Sequence, residues 1–213
     1  MEKKNRGVFI TFEGCEGCGK TTQIGMLSER LQQSGKEILV TREPGGTVVG
    51  ELVRNILIGV NGVDDMCPET ELLLFAASRA QLVREKILPA LEQGKFILCD
   101  RFLDSTTVYQ GVARQLAADP VKAINDFAIG DLMPDLTIVL DIPAEESRLR
   151  VQRRINSVPD RIENESIKFY SAVREGYLCL AKAFPERLIL IDGSQPLQSV
   201  ADSIWSVVEK RFL

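Results

Sequence analysis

Residues 14 to 21, Gly14-Cys15-Glu16-Gly17-Cys18-Gly19-Lys20-Thr21, match the pattern G-x-x-x-x-G-K-[ST], in which a glycine-rich turn, a lysine and a hydroxyl are spaced to wrap a chain of phosphates. Glycines let successive backbone N–H groups point inward and let the main chain approach an anion closely. A helix beginning near Lys20 would add its positive N-terminal end. Lys20 could then reach the outer phosphoryl groups, and the Thr21 hydroxyl could sit on Mg²⁺, with Thr22 beside it. Cys15 and Cys18 have the CxxC spacing of redox and metal motifs, but they lie inside a loop that must wrap an anion and no second pair follows. We read them as neutral filling of the loop, with oxidation to a Cys15–Cys18 bond as the alternative.

Further groups fit the same chemistry. Asp100-Arg101 closes the apolar run Phe96-Ile97-Leu98-Cys99, and a carboxylate at the carboxyl end of a parallel strand points into the ligand crevice. Asp100 suits a water-mediated Mg²⁺ contact, and Arg101 offers a donor fork for a phosphate. Phe75 and Arg79 are four apart, so on a helix a ring and a guanidinium face one way and could stack on a base while donating to its oxygens. Thr106 and Gln110 repeat that separation, as do Ser105 and Tyr109. From Arg148 to Arg161 there are five arginines in fourteen positions, around the turn-like Asn156-Ser157-Val158-Pro159-Asp160. Arg150, Arg153 and Arg154 fall at i, i+3 and i+4 of one helix face. This stretch reads as an arginine-bearing flap, at about 143–161.

The elements that must hold these groups recur as short, continuous apolar runs separated by helical stretches. Val8–Phe12, Ile38–Thr41, Phe96–Cys99, Leu136–Leu140 and Leu188–Ile191 have the pattern of parallel strands buried on both faces. Helices are expected over Thr21–Gln33, Gly50–Leu57, Glu69–Gln93 with a kink or short break at Pro89, Ser105–Leu116, Val121–Asp131, Ala144–Ile155, Ile162–Phe184 and Leu197–Phe212. The result is a single α/β domain of 213 residues, three layers around a five-stranded parallel sheet. Hydrophobic residues make up 45% and charged residues 26%, which excludes disordered and fibrous classes. The net charge of −4, without a long basic run, argues against a nucleic-acid partner. No apolar stretch is long enough for a membrane span or a signal-peptide core, so a cytoplasmic place is expected. Histidine is absent, which removes every mechanism that needs an imidazole base.

Beside the phosphate loop stand Thr41-Arg42-Glu43-Pro44-Gly45-Gly46-Thr47, Leu74-Phe75-Ala76-Ala77-Ser78-Arg79, Asp100-Arg101-Phe102 to Ser105 with Tyr109-Gln110-Gly111, Pro134-Asp135-Leu136-Thr137 to Asp141, and Asp160-Arg161-Ile162-Glu163. In this order, over nearly the whole chain, they resemble the bacterial thymidylate kinase family. The resemblance implies a P-loop NTPase fold of the nucleoside monophosphate kinase type, and transfer of the γ-phosphoryl group of ATP to dTMP with Mg²⁺. It implies that Phe75 stacks on thymine and Arg79 binds a base oxygen, while Arg54 and Arg101 hold the dTMP phosphate. Thr106 and Gln110 would complete the base contacts, Ser105 would belong to the dTMP site, and Tyr109 would pack by the deoxyribose, where it disfavours a ribose hydroxyl. Glu13 and Glu43 would line the nucleoside and Mg²⁺ region, and the Glu43-Pro44 bond would be cis. Since the phosphate loop carries no basic residue between Gly14 and Gly19, the chain is similar to the subclass whose flap supplies the catalytic arginine. Arg153 is the expected one, with Arg150, Arg154 and Arg161 sharing the ATP contacts; a homodimer is expected by the same likeness. Another nucleoside monophosphate or deoxynucleoside kinase, and a nucleotide-dependent switch protein, are the rival readings.

Overall fold

Among the residues described by the computed structural model, 6–59, 65–153 and 161–213, five strands form one sheet. They are β1 (Val8–Glu13), β2 (Ile38–Arg42), β3 (Phe96–Asp100), β4 (Leu136–Asp141) and β5 (Leu188–Asp192), all parallel, in the order β2-β3-β1-β4-β5. Each ends one residue later than its apolar run, on Glu13, Arg42, Asp100, Asp141 or Asp192. The ladder pairs backbone groups whatever the side chain, so Arg42 still sits opposite Asp100 and Asp141 opposite Asp192. Charged residues are thereby carried to the carboxyl edge of the sheet. Because β1 connects to β2 on one side of it, while the chain later crosses from β3 past β1 to β4 on the other, that edge has its crevice just beyond β1.

Period-two alternation along β1 divides the core. Ile10 and Phe12 pack with Ile24, Leu27 and Leu31 of α1 (Lys20–Gln33) and with Val200, Ile204 and Val208 of α9 (Leu197–Phe212). Phe9 faces the other layer, against Leu82, Val83, Ile87, Ile97 and Phe102. A third apolar cluster joins Val139 to Val108 and to Phe169, Val173 and Tyr177 of α8 (Ile167–Ala183). Three layers result, as the strand pattern requires.

Local chemistry sets the remaining boundaries. α2 (Val48–Leu57) starts where Thr47 Oγ1 accepts from the Gly50 N–H at 2.9 Å. α3 (Pro68–Leu82) opens on a proline, whose missing N–H costs nothing in a first turn. The helix expected to run to Gln93 with a kink or short break at Pro89 leaves regular α-helical geometry earlier, at Val83. A π-helical turn, Val83–Ile87, carries the helix on into α4 (Leu88–Glu92), so the proline falls where the ladder has already shifted register. α5 (Leu103–Thr106) likewise continues as π-helix over Thr107–Ala113. α6 (Ala118–Ile129) and α7 (Ala144–Gln152) follow, and the expected end of α7 at Ile155 lies outside the described residues, as do Asn156–Pro159 of the flap turn. α8 begins at Ile167 rather than Ile162, because the Ser166 hydroxyl caps it by accepting from the Phe169 N–H at 3.3 Å.

Candidate active site

The loop between β1 and α1 holds positive φ at Gly14, Gly17 and Gly19 (131°, 71° and 98°), conformations that only glycine adopts cheaply. A Cβ on Gly14 would lie 2.5 Å from the Leu140 carbonyl oxygen, and one on Gly17 would lie 3.1 Å from the Arg150 Cβ. The loop is thus pressed between β4 and α7, and the Ser147 hydroxyl donates to the Glu16 carbonyl at 2.5 Å. Lys20 is buried, with its Nζ donating to the carbonyls of Gly14 (3.2 Å) and Cys15 (3.0 Å). Its ammonium therefore sits within the curl of the loop. Thr21 Oγ1 donates to Asp100 Oδ2 at 2.9 Å, which joins the first helical turn to the end of β3.

Around this loop opens a cleft of about 1100 Å³, whose walls include Glu16, Gly17, Gly19, Lys20, Thr21, Thr22, Asp100 and Arg150. A narrower pocket adjoins it, lined by Phe75, Ser105, Thr106, Tyr109 and Gln110 together with Leu57, Ile58 and Ile162. Glu16, Glu43, Arg54 and Arg101 line both. The two cavities therefore meet at a pair of guanidinium groups.

Arg101 commands that junction. Its backbone, at φ 70°, leaves β3 in the left-handed region, and its N–H still donates to the Phe12 carbonyl at 2.9 Å. The side chain donates to Glu16 Oε1 (2.5 Å), the Gly14 carbonyl (3.1 Å) and Ser105 Oγ (3.2 Å), and lies 4.9 Å above the Tyr109 ring. Arg54 donates to the Pro44 carbonyl at 3.1 Å, and Glu43-Pro44 is cis, as the resemblance implied.

Glu13 and Arg79 are not brought to the cavity walls. Glu13 is fully buried behind Arg101, where its carboxylate accepts from Phe102 N (2.8 Å), Ser105 Oγ (2.6 Å) and Tyr177 Oη (2.7 Å). Burial, aided by the Asp104 charge, raises its pKa, while Arg101 and the Ser105 and Tyr177 hydroxyls pull the other way. It pins the turn that aims Arg101. Arg79, 1% exposed, spends its donors on Glu43 Oε2 (2.8 Å), Asn125 Oδ1 (2.6 Å) and Thr106 Oγ1 (2.7 Å). It therefore braces Glu43 and Thr106 from beneath, where it was expected at a base oxygen. Burial, against the opposing charge and hydrogen bond of Arg79, lifts Glu43 to about 7.

The flap arginines separate. Arg150 lines the large cleft, donating to Glu146 Oε1 (2.5 Å) and to the Gly193 carbonyl (3.2 Å). Arg153 is exposed at the C-terminal end of α7, and Arg154 lies outside the described residues. Arg161, expected at the ATP side, instead pairs with buried Glu71 and donates to the carbonyl of Leu57, a residue lining the narrow pocket. Glu71 and Tyr177 carry no motif, and only the spacing of Glu71, one turn before Phe75, could have singled it out. Cys15 and Cys18 are buried at 3% exposure, and burial, with some help from Cys18, pushes the Cys15 thiol up to about 12. A neutral, enclosed thiol fits the packing role.

A family model described as thymidylate kinase matches residues 12–204. Curated relatives bearing the same name include one from Thermoanaerobacter sp. (strain X514), 53% identical over 205 residues that cover 96% of this chain and 98% of the relative. One from Caldanaerobacter subterraneus subsp. tengcongensis is 51% identical over 205 residues, covering 96% of each. Another, from Geobacter sulfurreducens, is 47% identical over 209 residues, covering 96% of this chain and 98% of the relative.

Proposed function

The chain belongs to the thymidylate kinase family, and from that membership we infer that it transfers the γ-phosphoryl group of ATP to dTMP, giving dTDP and ADP. One observation carries the reading at the level of this molecule: the two cavities share a wall made by Arg54 and Arg101. A donor polyphosphate in the curl around Lys20 and an acceptor phosphate at these arginines would approach each other across that wall. An acceptor without a phosphate would leave the two guanidinium groups without purpose, which argues against a nucleoside kinase.

The acceptor oxygen is already anionic, so the reaction needs no strong general base and loses nothing by the absence of histidine. The protein's contribution is to orient two polyanions and to neutralise charge on the group in transit. Phe75 supplies a face for the base and Tyr109 a flank for the sugar, with Ser105, Thr106 and Gln110 at the polar edge. Arg153 is the proposed transition-state arginine, with Arg150 and Arg154 as its companions on the flap, while Arg161 holds Glu71 beside the acceptor pocket. The burial of Glu13 and Arg79 supports positioning roles for both, the first acting on Arg101 and the second on Glu43 and Thr106.

Mg²⁺ fits the donor end. Thr21 and Asp100 present adjacent oxygens there, and Glu43 Oε1 is buried without a hydrogen-bond partner among the described residues. Thr21 would hold the ion directly, with Asp100 and Glu43 acting partly through water. When bound, the ion neutralises phosphate charge. No helix among the described residues is long and apolar enough to cross a membrane, which is compatible with the expected cytoplasmic place. Phe127 of α6, 84% exposed, with Leu73 of α3 and Leu52 of α2, supports the homodimer. Sedimentation of the wild type against Phe127→Glu checks it: a monomeric wild type would remove it.

Coupled turnover with dTMP, dUMP, dCMP, dGMP and thymidine tests the assignment. The expected result is the highest kcat/KM with dTMP. A better rate with a nucleotide lacking thymine, or transfer to thymidine alone, would overturn it.

A further inference from the structure

Glu71, Phe75 and Arg79 stand at i, i+4 and i+8 on α3, so they share one face of that helix. The chain from Thr106 to Arg114 runs past that face in the opposite direction. Arg79 Nη2 donates to Thr106 Oγ1 at 2.7 Å, and one turn past Phe75 on the other side, Gln110 Nε2 donates to Glu71 Oε1 at 2.6 Å. Phe75 and Gln110 line the acceptor pocket, while Glu71, 1% exposed, lies behind Gln110.

A primary amide has an oxygen that accepts and an NH2 that donates, and its shape alone does not decide which end faces a ligand. An ionised carboxylate does decide, because it can only accept. Arg114 and Arg161, like Gln110, donate to Glu71. Although burial works to raise the pKa of this carboxyl, the hydrogen bonds from Gln110 and Arg161 and the charges of Arg114 and Arg161 outweigh it and hold it below the ordinary 4.5. Glu71 is therefore a fixed acceptor, and the NH2 of Gln110 is committed to it.

We propose that Glu71 is a specificity-setting positioning residue: by taking the Gln110 NH2 it fixes Oε1 as the atom offered to the acceptor's base, so that the pocket admits a pyrimidine with a ring N–H and rejects one with a bare ring nitrogen. The inference rests on the assignment of this pocket to the acceptor nucleotide. Once N1 carries the sugar, thymine has one ring donor, N3–H, and it is the natural partner of Oε1. In cytosine N3 is a lone pair, which would face Oε1 as a second acceptor. The other carboxylate oxygen of Glu71 pairs with Arg161, which also donates to the Leu57 carbonyl, so the same side chain is tied to a second residue that lines the pocket.

Glu71→Gln tests this with little change of shape. Arg161 and Arg114 would keep the remaining oxygen of the new amide, whose NH2 would then face Gln110 and turn it over. The quantity to read is the ratio of kcat/KM for dTMP to that for dCMP. It should fall about ten- to hundredfold, the effect of inverting one buried hydrogen bond, and Glu71→Asp should restore part of it. A merely structural role would lower both substrates together; an unchanged ratio in an active variant overturns the proposal. A wild type that does not favour dTMP would instead remove the acceptor assignment itself. Should Glu71→Gln not fold, the Gln110 NH2 resonances of the wild-type protein answer the question. They should stay protected from solvent exchange, with little shift, when dTMP is added; NH2 protons that exchange freely, or move strongly with dTMP, overturn the proposal.

Discussion

Arg101 and Glu16 meet at 2.5 Å, which couples the arginine at the end of β3 to the acid in the phosphate loop across the line where the two cavities join. The same guanidinium donates to the Gly14 carbonyl, so it touches the donor loop as well as the acceptor pocket. An incoming phosphate can take the place of the carboxylate without leaving the buried charge unpaired. Arg101→Ala should lower kcat/KM for dTMP about a hundredfold, the scale of one or two lost charge-assisted hydrogen bonds. Because Gly14 also loses a contact, KM for ATP should move too, but by much less. Steady-state kinetics with each substrate varied check this; an equal loss on both sides would make Arg101 a donor-site residue.

Asp100 accepts from the Thr21 hydroxyl at 2.9 Å and so orients the oxygen proposed to hold the ion. Partners of this kind typically change metal affinity about 10- to 100-fold. Asp100→Asn should raise the Mg²⁺ concentration for half-maximal rate by about tenfold, with the dTMP KM little altered. A Mg²⁺ titration identical to that of the wild type would remove Asp100 from the site.

Arg153→Ala should cut kcat more than it raises either KM, since its contact is proposed to strengthen as charge moves between the substrates. Arg150 lines the donor cleft already, paired with Glu146. If Arg153→Ala keeps full kcat while Arg150→Ala loses it, the role passes to Arg150.

The depressed pKa of Glu71 has a sign that can be measured. The folded carboxyl binds its proton less readily than the ordinary 4.5, so near and below that pH the unfolded chain takes up more protons. The stability that Glu71 contributes is full above 4.5 and lost as the pH falls through the folded value. Between about pH 5 and pH 3 the melting temperature of the wild type should therefore drop more than that of Glu71→Gln. Parallel curves would mean that folding leaves the pKa of Glu71 where the unfolded chain has it, and the proposed hold on its charge would fall.

The sheet and the phosphate loop were legible because their signals are local. Apolar runs fix β1 to β5 within a residue, and the glycines at 14, 17 and 19 declare a turn wherever they are read. Helix spacing also gave the pairs Phe75–Arg79 and Thr106–Gln110 correctly as faces, but not the depth of each residue along a face. Arg79 lies beneath the pocket because Asn125, 46 residues away, and Glu43, 36 residues away, draw its guanidinium inward. Glu13 is joined to Tyr177 across 164 residues, and Arg161 to Glu71 across 90. No spacing rule reaches that far, so the partners that hide Glu13 and carry Arg161 away from the donor cleft became visible only once the helices were packed.

Lys20 lies inside the curl of the loop, its Nζ held at 3.0 Å and 3.2 Å by the carbonyls of Cys15 and Gly14. ATP-dependent phosphorylation of dTMP by Lys20→Ala, compared with the wild type at saturating Mg²⁺, probes that nest more directly than any other assay. A loss of about a hundredfold or more in kcat/KM for ATP is expected, in the range found when one group that stabilises developing charge is removed. Undiminished phosphoryl transfer would contradict a donor site at Gly14 to Thr21.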